Sequence, residues 1–425
     1  MALGVRDLHL NNPSTLVRIF DIRQGASGSK PAFESLQRDL EKFPDVVIRV
    51  IVAGGDGTVL WALAEIEKHD IPSARVAVGH LPFGTGNDFS RATGFGGTTG
   101  SLTGANLRGL RAKVSLYSTQ PFVAFDLWDV EICCGAEGGV YQLKQGRKTL
   151  VNGEDGVFRK VMGNYFSLGV ESRVGIGFDR NRTTSQGCNK CVYICEGTKK
   201  QFTNTIRVDQ ILDSLFVSKS PQPKAEADTQ SQAEADTQPK GEAPAQPEAS
   251  AQGEAQAADA QAEAAVEASA PVVAQAEVTK MSTMGESRVE VFKKLRGTKA
   301  GQAASMVFLN IPSISGGCDL WRSTDALGKD AEGLGKKQQS ISDKQLEVVT
   351  VPSLFSFARA RLPVFNSHVG SRIAQTGGPF ELVFKPELSR DIRTYMQVDG
   401  EFFQVNKPLT VRIKWRRQAQ VIVNH

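Results

Sequence analysis

Two short stretches carry residue types suited to phosphate chemistry. Val52–Trp61, VAGGDGTVLW, sets Asp56 among Gly54, Gly55 and Gly57 and follows them with Thr58. Leu81–Arg91, LPFGTGNDFSR, repeats the design: Gly84, Thr85 and Gly86, then Asn87 and Asp88. Glycines lack Cβ, so they allow φ > 0 and let backbone N–H groups approach a phosphate closely. A helix starting at such a turn adds the positive end of its dipole. A Walker-type loop would finish with lysine, yet here a carboxylate occupies the heart of the turn. An aspartate aimed at phosphates repels them unless a cation or a proton intervenes. Magnesium suits that place, because it takes carboxylate, water and phosphate oxygens together. The plainer alternative is that Asp56 only caps its own helix. In the second loop, Asn87 is placed to touch phosphate or ribose, and Asp88 to cap or to help hold the metal.

Each turn needs a strand before it and a helix after it. Val46–Ala53 is a short apolar run that reads as a buried strand. TVLWALAEIEKH follows as a helix, with Leu60, Leu63 and Ala64 at helical spacing and Ile71-Pro72 as its stop. ARVAVGHLPFG, Ala74–Gly84, is a second strand, and NDFSRATGFGG a short helix ended by Gly94. This alternation predicts a parallel α/β sheet with its ligand at the carboxyl ends of the strands. From about Phe122 the texture changes to short β-type runs, such as FVAFDLWDVEICC, SMVFLNI, LEVVTV, FELVFK and LTVRIKWRR. They predict a mostly antiparallel second part. A chain of 425 residues exceeds one comfortable core. The expected division is an α/β nucleotide-binding domain, 1–121, and a β-rich domain, 122–425.

Residues 221–280 are mostly Ala, Gln, Glu and Pro, too poor in large apolar side chains to offset the entropy of ordering, and are expected to be a disordered insertion. DSLFVSKS before it and ESRVEVFKK after it suggest that it loops out between two elements of one domain. Lys224–Lys280 holds eleven acidic residues and three lysines, so its net charge is −8 and the rest of the chain, within a total of +4, carries +12. A basic body suits nucleotide phosphates, nucleic acid or an anionic membrane surface. No motif of a nucleic-acid reader accompanies it, so nucleic acid is not expected as a partner. No apolar run approaches the ~18 residues of a membrane span, and the N-terminus lacks the order of a secretory signal. Membrane contact is therefore expected to be peripheral, from the cytoplasm. Cys188, Cys191 and Cys195 have a C-x2-C-x3-C spacing but no fourth zinc ligand nearby, and read as buried free thiols. TVRIKWRRQ reads as a strand with one basic, solvated face.

GGDGTV followed by PFGTGND resembles the catalytic domain of the diacylglycerol kinases, in the wider superfamily of lipid kinases, NAD kinases and phosphofructokinases. NYFSLGVESRVGIGFDRNR, 164–182, is similar to the opening of the eukaryotic accessory domain of that family. VFLNIPSISGGCDLW at 307–321, SDKQLEVVTVPSLF at 342–355 and YMQVDGEFF at 395–403 resemble its later blocks, in the same order. The resemblance implies ATP-dependent phosphorylation of the free hydroxyl of diacylglycerol at a membrane surface, giving phosphatidic acid. It implies a nucleotide cleft of Gly54, Gly55, Gly57, Thr58, Gly84, Thr85, Gly86 and Asn87, with Mg2+ organised by Asp56 and Asp88. Glu401 of VDGE would be the general base and complete a carboxylate cluster; on its own, VDGEF is also plain hairpin chemistry. The family's opening strand and NPxSG-type loop have no counterpart here, and Gly25, Gly28 and Lys30 could substitute. Two rivals remain open: a kinase of another acceptor (ceramide, sphingosine or NAD), and a catalytically impaired relative that binds lipid or partners.

Overall fold

The computed structural model describes residues 7–11, 14–25, 30–100, 102, 107–144, 146–181, 183, 188, 192, 195–197, 199, 206–218, 288–326, 338–360, 369–386, 388 and 393–424. The expected disordered insertion, 221–280, lies outside the described residues, as do Gly28 and Cys191. The described chain is a mixed α/β fold whose larger part is antiparallel sheet.

It opens on an antiparallel hairpin, β1 (Asp7–Asn11) and β2 (Ser14–Arg18), in a sheet of its own. Then come α1 (Pro31–Lys42), β3 (Ile48–Gly54), α2 (Asp56–Lys68), β4 (Val76–Pro82), α3 (Asp88–Ala92) and α4 (Arg108–Thr119). β3 and β4 run parallel, paired from Ile48 opposite Val76 to Gly54 opposite Pro82, so both glycine turns leave the same edge side by side. All of β4 is buried, as suits a central parallel strand. The buried stripe of α2 is Val59, Ala62, Leu63 and Ile66, one step round from the expected Leu60, Leu63 and Ala64; Ala64 is exposed. What the helix docks on sets the stripe: Phe33, Leu36 and Leu40 of α1, with Val52, Val76 and Val78, share that core.

The rest is β5 (Phe122–Lys144), β6 (Arg147–Leu150), β7 (Val157–Met162), β8 (Tyr165–Gly169), α5 (Val170–Arg180), β9 (Leu212–Ser218), β10 (Arg288–Glu290), β11 (Ser305–Leu309), β12 (Asp325–Ala326), β13 (Leu346–Val351), β14 (Ser371–Thr376), β15 (Phe380–Phe384), β16 (Thr394–Val398) and β17 (Glu401–Ile422). β9 and β10, on either side of the insertion, pair directly, Ser218 opposite Arg288. β8 lies between β11 and β16. β17 pairs antiparallel with β5 from Phe403 opposite Gln142 to Ile422 opposite Phe122. Its last residues also pair parallel with β4, at Ala77 and Val78. Among the described residues, parallel pairing within the α/β part is thus confined to β3, β4 and the end of β17, where the sequence alone suggests a self-contained parallel sheet. Phe125 and Leu127 of β5 and Val421 of β17 enter the core under α2, so the two parts share apolar contacts.

No helix among the described residues is long and apolar enough to cross a membrane. Cys188 and Cys195 are exposed rather than buried. Glu196 is the residue this segment packs inward, against Gly177 of α5. Arg416 and Arg417 of β17 pair with Glu67, and Arg416 with Asp129, so part of the basic strand is already neutralised.

One buried acid lies apart from both glycine turns. Glu347 of β13 is fully buried and accepts Gln375 Nε2 at 3.0 Å, with the Gln339 side chain also beside it. Burial pushes its pKa up to about 8. The folded chain therefore holds a proton there that the unfolded chain loses near its ordinary value of 4.5. The associated stability is full below that value and is lost as pH rises through about 8. Glu347→Gln is expected to remove a slope of up to ~1.4 kcal/mol per pH unit. Denaturant unfolding of both proteins at pH 5, 7 and 8.5 reads the difference.

Candidate active site

The two glycine turns are built against each other. The Gly54 carbonyl accepts the N–H of Phe83 at 2.7 Å and of Gly84 at 3.2 Å, and His80 Nε2 lies 2.9 Å from it. A Cβ on Gly84 would stand 2.7 Å from the Gly55 Cα and from Asn87 Oδ1. A Cβ on Gly54 would meet the Thr58 side chain at 2.5 Å. None of Gly54, Gly55, Gly57, Gly84 or Gly86 has a positive φ, contrary to the expectation from sequence. The left-handed residue is Asn87, φ 52. Its buried amide nitrogen donates to the Gly84 and Gly97 carbonyls, both at 2.9 Å, and so shapes the turn, while its Oδ1 has no partner among the described residues. The Thr58 side chain thus explains Gly54, and the Gly55 backbone with the Asn87 amide explains Gly84.

Gly57 is the exception. A Cβ there would meet nothing within 4 Å among the described residues. It lies exposed in the first turn of α2. Gly57→Ala is expected to stabilise the fold by ~0.5–1 kcal/mol, through the better helix propensity of alanine. It should also weaken ATP roughly tenfold by filling the approach. Thermal unfolding beside the KM for ATP tests both effects, and an unchanged KM would take Gly57 out of the cleft.

Asp56 does cap a helix, but not its own. Its carboxylate accepts the N–H of Phe89 at 2.8 Å and of Asp88 at 3.2 Å, so the first turn caps α3, the helix of the second. The Asn164 side chain also hydrogen-bonds to it. Burial raises its pKa, and these three bonds oppose the rise. Asp88 faces the other way and is 1% exposed. It accepts Ser313 Oγ–H at 2.6 Å, the N–H of Gly316 at 2.9 Å and of Gly317 at 3.1 Å, and the Tyr165 hydroxyl at 3.3 Å. Burial, then the neighbouring Asp56 charge, pushes it up to about 6 against those donors. Asp88 thus latches the loop after β11 onto α3. Gly86 packs close by: a Cβ there would sit 3.1 Å from Asp88 Oδ2 and 3.7 Å from Asp56 Oδ2.

The VDGE stretch is a hairpin turn and part of this cluster at once. Asp399 (φ 50) and Gly400 (φ 79) form the two-residue turn between Val398 and Glu401, which pair across it. The buried Asp399 carboxylate accepts three successive N–H groups, of Gly163 at 2.9 Å, Asn164 at 2.7 Å and Tyr165 at 2.9 Å. Burial still lifts it to about 6. It therefore anchors the two residues that reach Asp56 and Asp88. Asn310, after β11, braces the same turn through the Gly163 carbonyl and also accepts Trp128 Nε1–H at 2.9 Å. Glu401 stands beside the cluster, not in it. Its half-exposed carboxylate pairs with Lys160 Nζ at 3.0 Å and accepts Gln142 Nε2 at 2.9 Å. Glu171, at the start of α5, completes the surround: buried, it accepts Ser167 Oγ at 2.6 Å, Ser315 Oγ at 3.0 Å and the Gln397 amide.

Sequence reading thus brings together Asp56, Asp88 and the glycines, and leaves Glu401 one ion pair away. It misses Asn164, Tyr165, Glu171, Ser313 and Asp399. Usable signals were the Asp-Gly pair in VDGE, which demands a type I′ turn, and the Ser-Gly-Gly run in PSISGG. Of Gly25, Gly28 and Lys30, the last lies with its Nζ 5.9 Å from the Trp61 ring centre of α2.

Comparison with known proteins points to one family. The profile of the diacylglycerol kinase catalytic domain matches residues 24–118, and that of the diacylglycerol kinase accessory domain matches 161–234 and 267–402. The chain is 32% identical over 176 residues to the eye-specific diacylglycerol kinase of Drosophila melanogaster, covering 41% of this chain and 10% of that protein. It is 31% identical over 182 residues to diacylglycerol kinase 4 of Arabidopsis thaliana, covering 38% and 35%. With human diacylglycerol kinase zeta it shares 31% over 166 residues, covering 39% and 16%. The match spans between a tenth and about a third of the length of these relatives.

Proposed function

This chain belongs to the diacylglycerol kinase family, and on that premise we propose that it transfers the terminal phosphoryl group of ATP to the free hydroxyl of diacylglycerol, giving phosphatidic acid. One observation carries the reading: the Asp56 carboxylate lies at the meeting of the two glycine turns, on the N-terminus of α3, within reach of Asn164. Phosphoryl transfer asks mainly for positioned phosphates, neutralised charge and a base near the acceptor oxygen. Residues 1–121 supply the nucleotide side. Its phosphates lie along Gly54, Gly55, Gly57 and Thr58 and along Gly84, Thr85 and Gly86, with Gly57 the open approach. Residues 122–425 supply the lipid side, working from the cytoplasmic surface of a membrane.

The donor set tests where magnesium fits. The Asp88 oxygens take Ser313, Gly316, Gly317 and Tyr165, more residues than reach Asp56 from elsewhere in the chain, so on this reading Asp88 is chiefly the latch and Asp56 the nearer metal ligand. Asp56 fits, with Asn164 Oδ1 beside it, buried and without a partner among the described residues. Held there with the nucleotide, magnesium would neutralise phosphate charge. Glu401 takes the proton of the acceptor hydroxyl. A primary alcohol attacks poorly until a carboxylate can accept that proton. Glu401 meets the need by exchanging Lys160 for the acceptor.

The test is ATP-dependent phosphatidate formation on diacylglycerol in mixed micelles, with ceramide and sphingosine in parallel. Turnover of diacylglycerol that falls ~10²-fold in Glu401→Gln supports the reading and the base. Turnover only of ceramide or sphingosine would favour another lipid kinase. Nucleotide binding without transfer to any acceptor would leave a lipid- or partner-binding protein.

A further inference from the structure

A second cleft, of about 550 Å³, opens on the far half of α5. That volume is in the range of small-ligand sites. One wall is a single stripe of the helix: Arg173, Ile176, Gly177 and Arg180 stand at i, i+3, i+4 and i+7. Facing it are Tyr395 of β16 and Arg393 just before that strand, two residues apart and so on one side of an extended chain. The third side is the Glu196–Lys199 segment, which approaches closely because position 177 is glycine: a Cβ there would lie 2.2 Å from Glu196 Oε2.

The charge of this lining is one-sided. Arg173, Arg180, Lys199 and Arg393 are set against one carboxylate, Glu196. That carboxylate is already matched by Lys199 Nζ at 2.9 Å and Asn181 Nδ2 at 3.2 Å. Among the described residues no carboxylate pairs with Arg180 or Arg393. Arginines lining one concave site together with a tyrosine suit a doubly charged tetrahedral anion, which arginine binds through paired N–H groups. Ile176 adds an apolar patch for whatever the anion is attached to.

We propose that this cleft binds a phosphate monoester, separately from the transfer site. The cleft shares no residue with the glycine turns or with Asp399. Tyr395 precedes Asp399 by four residues of extended chain, roughly 13 Å. α5 and β16 nevertheless run from the cleft to the reaction centre, where Glu171 and Asp399 end them, so a bound anion bears on the elements that hold Asn164 and Ser315. A lipid headgroup and a soluble ester both present this same group to the arginines.

The full chain would be mixed with vesicles of phosphatidylcholine alone and of phosphatidylcholine with a tenth part phosphatidate, and binding read by co-sedimentation without nucleotide. In parallel, glycerol 3-phosphate would be titrated by calorimetry. Arg180→Glu/Arg393→Glu is compared with Arg412→Glu/Lys414→Glu, an equal charge change on β17. Both cleft arginines are exposed, so thermal unfolding should not move. Phosphatidate-dependent binding weakened about tenfold or more by the cleft pair alone supports a lipid headgroup. Glycerol 3-phosphate binding lost in the same variant supports a soluble ester. Binding that survives the cleft pair, or that is lost in the β17 pair instead, or no binding of either ligand, would overturn the proposal. None of these readouts needs turnover, so failure here and failure of the kinase reading are told apart.

Discussion

Asp56→Asn is expected to lower the turnover number for phosphatidate formation about 10³-fold while leaving the chain folded. The substitution keeps the size of the side chain and one acceptor oxygen, which can still take the Phe89 N–H. It removes the negative charge at the meeting of the glycine turns and turns an NH2 toward the Asp88 N–H, now 3.2 Å from a carboxylate oxygen. The lost cap on α3 costs about 1 kcal/mol, too little to unfold a chain of this size. Single-turnover kinetics beside a thermal melt separate the two effects. Turnover within about threefold of wild type would leave Asp56 as a cap alone and move the chemistry elsewhere.

Asp399→Asn should do the reverse in one respect, losing stability along with activity. An amide cannot accept three N–H groups from Gly163, Asn164 and Tyr165, and its own NH2 would face one of them inside the protein. Leaving such a donor unpaired while removing a charged acceptor is expected to cost about 3 kcal/mol. Activity falls because Asn164 and Tyr165, which reach Asp56 and Asp88, lose their anchor. Denaturant unfolding gives the first quantity and the micelle assay the second. The informative contrast is with Glu401→Gln, two residues away, where activity falls at unchanged stability. A fully stable Asp399→Asn would show that the turn is held by something other than this carboxylate.

These neighbours mark the limit of what the sequence makes legible. The strand–turn–helix pairs around Gly54 and Gly84 were readable because their signals are local: an apolar run, glycines, then helical periodicity. The buried face of α2 was off by one residue, since α1 and the sheet, not the helix itself, decide which stripe is covered. The partners of Asp88 were out of reach altogether. Ser313 lies 225 residues away, and nothing near Asp88 announces it. In VDGE the eye goes to the free-standing glutamate, whereas the aspartate before it makes the buried bonds. The positive φ expected at the glycines belongs instead to Asn87 and Asp399, residues tolerated there because short polar side chains can bond locally.

The connections through Asp56 and Asp88 form a relay: the first turn holds the second, and the second holds the loop after β11. Separate lobes of a kinase are ordinarily free to hinge. Here a hinge opening would pull Ser313, Gly316 and Gly317 off a buried carboxylate, at the cost of its charged hydrogen bonds. The two turns and the loop after β11 are thus held together by the chain's own hydrogen bonds. On the proposed kinase reading, little of the substrates' binding energy is diverted into moving these walls.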